Sequence, residues 1–128
     1  MKLPISFLII LLFTGCKNEI ELTMERGIQY YEWDMIEKAV LEFKHVIHSL
    51  DIESNKIDYN NIKLLSQAHY NLAVAYAKKN WYEEAIEEAR KAFELFPTDK
   101  NRKLLELIQI KLPQKTGSKP EPIDSTSK

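Results

Sequence analysis

The chain repeats itself at a spacing of 46 residues, and this internal repeat constrains its fold more than any other feature. Small and aromatic residues of the first copy return as comparable residues in the second copy. The matched pairs are Gly27 with Ala73, Tyr30 with Tyr76, Ile36 with Tyr82, Ala39 with Ala85, and Val46 with Ala92. Self-similarity at a fixed period is typical of repeat architectures, in which each unit buries its apolar face against its neighbour. The sequence therefore predicts two similar, stacked units.

Each unit has the pattern of two helices. Residues 20–96 contain no proline and are rich in Glu, Lys, Ala and Leu, a composition that favours helix. In the second copy, apolar residues recur at three- and four-residue spacing and form two stripes. The stripes are Leu65, Ala68, Leu72, Ala75 and Tyr76, then Tyr82, Ala85, Ile86, Ala89, Phe93 and Phe96. A break at Lys79 and Asn80 separates them, and Pro97 ends the second, so we predict a helical hairpin.

The first copy repeats this plan more loosely. Its residue pattern predicts a helix from about residue 21 to residue 33, a turn at Asp34 and a second helix over residues 35–50. Between the copies, Asp58 is predicted to cap the helix that follows it, because an aspartate side chain accepts hydrogen bonds from first-turn amides. Large side chains at the small positions, as in Ala85→Leu, should overpack the contact between paired helices and cost about 1–3 kcal/mol.

A fifth helix is predicted over residues 101–112, stopped by Pro113, where it would cover the open apolar face of the second unit. The helical domain would thus occupy residues 20–112. Residues 113–128 are rich in Pro, Lys, Ser and Thr, a composition that cannot bury enough apolar area, and are predicted to be a disordered tail. The predicted fold is all-α, an α-α superhelix of about two helical hairpins plus a C-terminal capping helix.

Residues 66–99 resemble a tetratricopeptide repeat, a helix-turn-helix unit of about 34 residues. The positions that carry the resemblance are Leu72, Ala73, Tyr76, Tyr82, Ala85, Ala92 and Pro97. Three positions depart from the family pattern, with His69 for a tryptophan, Asn80 for the turn glycine and Ala89 for a large aromatic residue. Asparagine is a sound replacement at the turn because it tolerates left-handed backbone angles. Residues 20–53 resemble a degenerate copy of the same repeat.

The amino terminus has the pattern of a cleavable leader. An apolar run from Ile5 to Phe13 is about half the length that spans a bilayer, which fits the apolar core of a signal peptide. The segment Phe13-Thr14-Gly15-Cys16 resembles the lipobox of bacterial lipoproteins. The resemblance implies cleavage after residue 15, acylation of the Cys16 thiol and new amino terminus, and a lipidated tether over residues 16–19. An ordinary secretory signal and an uncleaved anchor are the alternatives.

Charge, cysteine count and motifs argue against several classes of function. The net charge of −1 provides no field that would attract nucleic acid, and a single cysteine excludes an intrachain disulfide or a cysteine zinc cluster. Glu42 and His45 form a Glu-x-x-His pair near His48, but a di-iron site needs a second such pair. No phosphate-binding glycine loop or nucleophile elbow is present. We therefore expect no enzyme activity, no metal and no cofactor.

The resemblance implies a binding surface on the concave side, formed by the first helix of each pair. Carried onto this sequence, that surface is mostly apolar and aromatic, which favours a hydrophobic or helical segment of a partner protein. Its predicted members are Met24, Ile28, Tyr31, Gln67, Tyr70, Asn71, Val74, Asn101, Leu105 and Ile108. Packing between the repeats is the alternative role for these side chains.

The function predicted from these features is that of a membrane-anchored adaptor in the bacterial cell envelope, facing the periplasm or the cell surface. One alternative is a structural subunit of an envelope secretion or outer-membrane assembly complex. A helical metal-binding or enzymatic envelope protein is a weaker alternative. Repeat arrays usually need about three units, so a second copy or a larger partner could cover an exposed edge.

Overall fold

The computed structural model describes residues 18–52 and 58–115, and this part of the chain contains five helices and no strand. The helices are α1 (Glu19–Glu32), α2 (Ile36–Ile52), α3 (Tyr59–Lys78), α4 (Tyr82–Leu95) and α5 (Asp99–Lys115). Each helix packs against the next, and α3 also contacts α1 and α5. The predicted all-α fold of stacked helical hairpins is confirmed. None of the described helices is both long and apolar enough to cross a bilayer.

The two hairpin turns have the same backbone geometry. Asp34 and Asn80 both adopt a φ of 61°, in the left-handed region. In each turn the following amide donates a hydrogen bond back into the preceding helix, from Met35 to the Tyr30 carbonyl at 2.8 Å and from Trp81 to the Tyr76 carbonyl at 3.0 Å. This pattern is the Schellman motif, which satisfies helix-end carbonyls that would otherwise be unpaired. Asn80 therefore fills the role predicted for it.

Side chains cap the starts of α3 and α5. Asp58 accepts a hydrogen bond from the Asn61 amide at 2.8 Å, as predicted. Thr98 accepts one from the Asn101 amide at 3.2 Å, so α5 begins two residues before its predicted start.

The predicted end of α5 at Pro113 is wrong, because the helix continues to Lys115. Proline has a φ that fits a helix, and its missing amide removes only one hydrogen bond, so the described helix continues for two residues beyond it. The helical part therefore extends beyond the predicted boundary at residue 112. The remaining residues of the predicted tail, 116–128, lie outside the described residues, as do the predicted signal peptide and Cys16.

The core lies along the contacts between paired helices. Ala39, Ala73 and Ala85 are completely buried, and Phe43 and Val46 are the largest fully buried side chains. Gly27 packs directly against the Phe43 ring. These small residues let the helices approach closely while aromatic and branched side chains fill the remaining space.

Candidate functional site

Three cavities join along one side of the molecule, where α1, α3 and α5 lie next to one another. The central cavity, of about 180 Å³, is lined by Ile28, Tyr31, Phe43, Tyr70, Asn71 and Val74. A cavity of about 430 Å³ shares Tyr31 and Val74 with it and extends over α5. Another of about 180 Å³ shares Tyr70 with it and extends toward the other end of α3 and the start of α5. We call these three joined cavities the groove.

Most of the predicted surface residues line the groove. Five of the ten surround the central cavity, and three others line the end cavities. The central five are Ile28, Tyr31, Tyr70, Asn71 and Val74, and the others are Gln67, Asn101 and Ile108. The structure thus brings together residues from three separate helices, as a concave surface requires.

Several predicted surface residues lie mainly in the core. Met24 and Ile108 are each 3% exposed, and Leu105 packs against the core cluster. Met24 and Leu105 line none of the three cavities. Met24, Leu105 and Ile108 therefore pack between helices, which is the alternative role given for the predicted surface, and of these three only Ile108 also lines a cavity.

Asn101 is 6% exposed, and its side chain forms hydrogen bonds with α3, with α4 and with the residue that follows α4. Its amide nitrogen lies 3.1 Å from the Ser66 hydroxyl, 3.0 Å from the Ala92 carbonyl and 2.7 Å from the Phe96 carbonyl. Ser66 itself donates to the Ala92 carbonyl at 2.8 Å. A buried amide with these acceptors fixes the start of α5 against the preceding hairpin.

Four lysines at the groove were not among the predicted site residues. Lys63 and Lys100 line one end cavity, and Lys78 and Lys111 line the other. The sequence contained a pattern that could have identified them. Each lysine lies three or four residues from a groove residue on its own helix and so extends the same stripe. Charged residues at the edge of an apolar stripe are normally taken as solvated, so the pattern alone did not distinguish them.

Two of these lysines contact aromatic rings of the groove. The Lys100 ammonium lies 4.3 Å from the centre of the Tyr70 ring, and the Lys78 ammonium lies 5.1 Å from that of Tyr31. Lys78 also forms an ion pair with Asp34 at 2.5 Å, and this hydrogen bond raises the pKa of Lys78. The contacts position positive charge beside the apolar floor.

A buried hydrogen bond between His69 and Glu88 connects α3 and α4. The Glu88 carboxylate lies 2.6 Å from His69 Nδ1 and 3.1 Å from the Lys91 ammonium, and the His69 and Glu88 side chains are mostly buried. Burial raises the pKa of Glu88, but the hydrogen bonds from His69 and Lys91 outweigh it, and the pKa lies below its ordinary value. This pair connects the helices of the second hairpin.

The candidate metal residues do not converge. Glu42 accepts a hydrogen bond from Arg26 at 2.7 Å, while His45 and His48 are exposed on α2. Within residues 18–52 and 58–115, no group of three His, Cys, Asp or Glu side chains is placed to bind a metal ion.

Comparison with known families identifies the second hairpin. Residues 66–99 match the family model described as tetratricopeptide repeat. This segment is similar to a tetratricopeptide repeat. It comprises most of α3, the whole of α4 and the first residue of α5. Tetratricopeptide repeats typically bind protein or peptide partners.

A curated relative carries a related segment. Over 77 residues, which are 58% of this chain, the sequence is 34% identical to the peptidyl-prolyl cis-trans isomerase FKBP4 of Bos taurus. The chain spans 17% of the length of that protein. The similarity therefore concerns a small part of the relative, and the activity in its name is not transferred to this chain.

Proposed function

We propose that this protein is a lipid-anchored adaptor of the bacterial cell envelope that binds a segment of another protein in the groove and catalyses no reaction. The observation that supports it most directly is the groove itself, which is continuous across α1, α3 and α5. Its central cavity is lined almost entirely by apolar and aromatic side chains, with Asn71 as the polar exception. Concave apolar sites with a few polar groups are typical of binding surfaces.

Affinity capture from native membranes tests the binding. We expect Val74→Lys to lose the partner, because it places a charge in the central cavity without a compensating group. Leu41→Lys is the matched control, since Leu41 is 67% exposed on α2 and lines no part of the groove. Circular dichroism establishes that both variants remain helical. Equal recovery of the partner by both variants would contradict the proposal.

The anchor is proposed from Cys16 and the apolar run before it. Three acyl chains would bind the protein firmly, because two lipid signals already give stable membrane attachment. We expect mass spectrometry of the native protein to find a mature chain that starts at an acylated Cys16. Cys16→Ala should leave the membrane fraction. An intact leader with an unmodified thiol would refute the proposed lipid anchor, but it would not contradict partner binding in the groove.

A second candidate is a structural subunit of an envelope secretion or outer-membrane assembly complex. It is favoured by Leu107 and Ile110, which are 60% and 62% exposed on α5, the last described helix. A permanent neighbour or a second copy could cover this face. Native gel electrophoresis separates the two candidates, because a subunit migrates in a stoichiometric complex and a transient adaptor does not.

A further inference from the structure

The first and last described helices each leave one face of the helical array uncovered. Among the described helices, α1 packs only against α2 and α3, and α5 packs only against α4 and α3. Aliphatic side chains are exposed on both outer faces, since Leu22 on α1 is 48% exposed, and Leu107 and Ile110 on α5 are 60% and 62% exposed. Terminal units of a soluble repeat array normally have a polar outer face. These side chains therefore indicate a further contact on each outer face.

The outer face of α1 contains an open depression. It has a volume of about 530 Å³ and adjoins the central cavity of the groove at Ile28. Arg26 at its border pairs with Glu42 of α2 at 2.7 Å. The depression combines two aliphatic side chains with polar and charged ones, and it is lined by Leu22, Glu25, Arg26, Ile28, Gln29 and Glu32.

The two outer helices have opposite charge. α1 contains four glutamates and one arginine, which give a formal charge of −3, whereas α5 contains five basic and two acidic residues, which give +3. Two α5 helices would repel each other, while α5 of one copy and α1 of another attract. A symmetric contact between two α5 helices is thus disfavoured, and a contact between the unlike outer faces is favoured.

Exposed charges on the two outer faces have similar spacing. Glu25 and Glu32 are seven residues apart on α1, which is about 10.5 Å along the helix, and Lys103 and Lys111 are eight residues apart on α5, which is about 12 Å. The exposed aliphatic residues of α5 lie between the two lysines, and both glutamates line the depression. Two charge pairs can therefore flank one apolar contact.

We propose that copies of this protein associate with one another, with the outer face of α5 in one copy seated on the depression of α1 in the next. Lys103 pairs with Glu25 and Lys111 pairs with Glu32, and the exposed aliphatic side chains of α5 enter the depression. Because this contact joins two different surfaces, each copy keeps one of them open for another copy, and association extends beyond a dimer.

The parallel direction of α5 against α1 is the one that suits a lipid-anchored protein, and this part of the inference rests on the proposed function. α1, α3 and α5 run in the same direction, because the chain reverses between successive helices and the ion pair of Asp34 with Lys78 places both hairpin turns at one end. In a parallel pairing every copy starts α1 at the same end, so all anchors face one membrane. An antiparallel pairing would turn the anchors of adjacent copies to opposite ends.

Exchange of charges between the two faces tests the contact by sedimentation velocity of the purified full-length protein in detergent. Reversal of one face, by Glu25→Lys/Glu32→Lys or by Lys103→Glu/Lys111→Glu, should weaken association by about tenfold or more, because attraction becomes repulsion. A mixture of the two variants should associate as the parent does, and so should one protein that carries all four changes. High salt should weaken association of the parent, because exposed charges are screened.

A matched control separates the contact from a general effect of charge. Glu87 and Glu94 are exposed on α4 and are seven residues apart, as Glu25 and Glu32 are on α1. Glu87→Lys/Glu94→Lys makes the same change in net charge and should associate as the parent does. Circular dichroism establishes that all variants remain helical.

Disulfide formation in native membranes determines which residues meet. Lys103→Cys and Glu25→Cys, expressed together, should form a crosslinked pair of copies. Lys103→Cys with Glu32→Cys should not, and neither should any of these variants alone. The parent, with Cys16 as its only cysteine, gives the background.

Contrary results can be told apart. A parent that sediments as a monomer at every concentration would overturn the inference, while capture of a partner that depends on Val74 would leave the proposed function in place. Association that survives reversal of the α1 face, or a disulfide from Lys103→Cys alone, would assign α5 to a symmetric contact instead. A disulfide between Lys103→Cys and Glu32→Cys would overturn the parallel direction. Crosslinking of the parent would show a free Cys16 thiol and refute the lipid anchor, whereas the sedimentation results would still decide the contact.

Discussion

Gly27 is where the two helices of the first hairpin come closest. A Cβ atom added there would lie 2.7 Å from Cε1 and 2.9 Å from Cδ1 of Phe43, and 3.1 Å from Cβ of Glu42. Phe43 is 1% exposed, so its ring has little space into which to move. The absence of a side chain at Gly27 is therefore a packing requirement, since its φ is not in the left-handed region.

We predict that Gly27→Ala lowers the free energy of unfolding by about 1–3 kcal/mol through overpacking. Alanine has a higher helix propensity, which offsets at most about 1 kcal/mol of this cost. Urea denaturation followed by circular dichroism measures the change. Gln29→Ala, on the exposed side of α1, serves as the control and should change stability little. A midpoint for Gly27→Ala at or above that of the parent would contradict the prediction.

Glu88 gives the fold an acid-sensitive contact. Because its pKa in the folded protein lies below 4.5, the folded state binds the proton less tightly than the unfolded state does. The contribution of Glu88 to stability is thus fully present above about pH 4.5 and is lost as the pH falls through the folded pKa.

Glu88→Gln should cost about 1–3 kcal/mol at neutral pH, because His69 and Lys91 lose a charged acceptor. Below about pH 4.5, its free energy of unfolding should fall less steeply with decreasing pH than that of the parent. Urea titrations at a series of pH values provide the measurement. Glu87→Gln, an exposed neighbour, is the matched control. Parallel pH profiles for Glu88→Gln and the parent would disprove the assignment.

At the scale of the elements, the turns were predictable and one helix end was not. Lys79 and Asn80 break the apolar stripe, and asparagine tolerates the left-handed angle that the turn requires, so sequence and structure agree there. Pro113 was taken as a stop because proline usually ends a helix. Its actual cost depends on how many helical residues follow it, and the sequence does not give that number.

The left-handed turn at Asn80 allows a direct test. We predict that Asn80→Val destabilises the protein by about 1–2 kcal/mol, because a branched side chain is strained at a φ of 61°. Asn80→Gly relieves that strain, although it also removes the side-chain acceptor for the Tyr82 hydroxyl, and should stay close to the parent. Thermal unfolding compares the two variants. Equal melting temperatures would show that backbone strain does not govern this position.

For the whole molecule, the 46-residue period predicted the stack of hairpins because such a period fits only repeated packing units. The groove was predicted less completely. A stripe of apolar residues indicates which face of a helix is covered, but a small rotation of the helix decides whether an edge residue is buried or exposed. Met24 is such an edge residue and is 3% exposed, and the groove lysines were overlooked because exposed lysines are common on any helix.

Asn101 connects the stability of the fold to the groove. The buried side-chain amide of Asn101 fixes the start of α5, and α5 supplies Lys100, Leu104 and Lys111 to the groove. We predict that Asn101→Ala lowers the free energy of unfolding by about 1–3 kcal/mol, since Ser66 and the carbonyls of Ala92 and Phe96 lose a donor.

We expect Asn101→Ala to destabilise α5 more than the other helices. In native-state hydrogen exchange, the amides of α5 should exchange faster in Asn101→Ala while those of α2 keep their protection, because α5 packs mainly against α4 and only lightly against α3. Gln109→Ala, exposed on α5, is the control. Equal acceleration in all five helices would mean that Asn101 stabilises the array as one unit, and that the groove does not depend on a separately mobile α5.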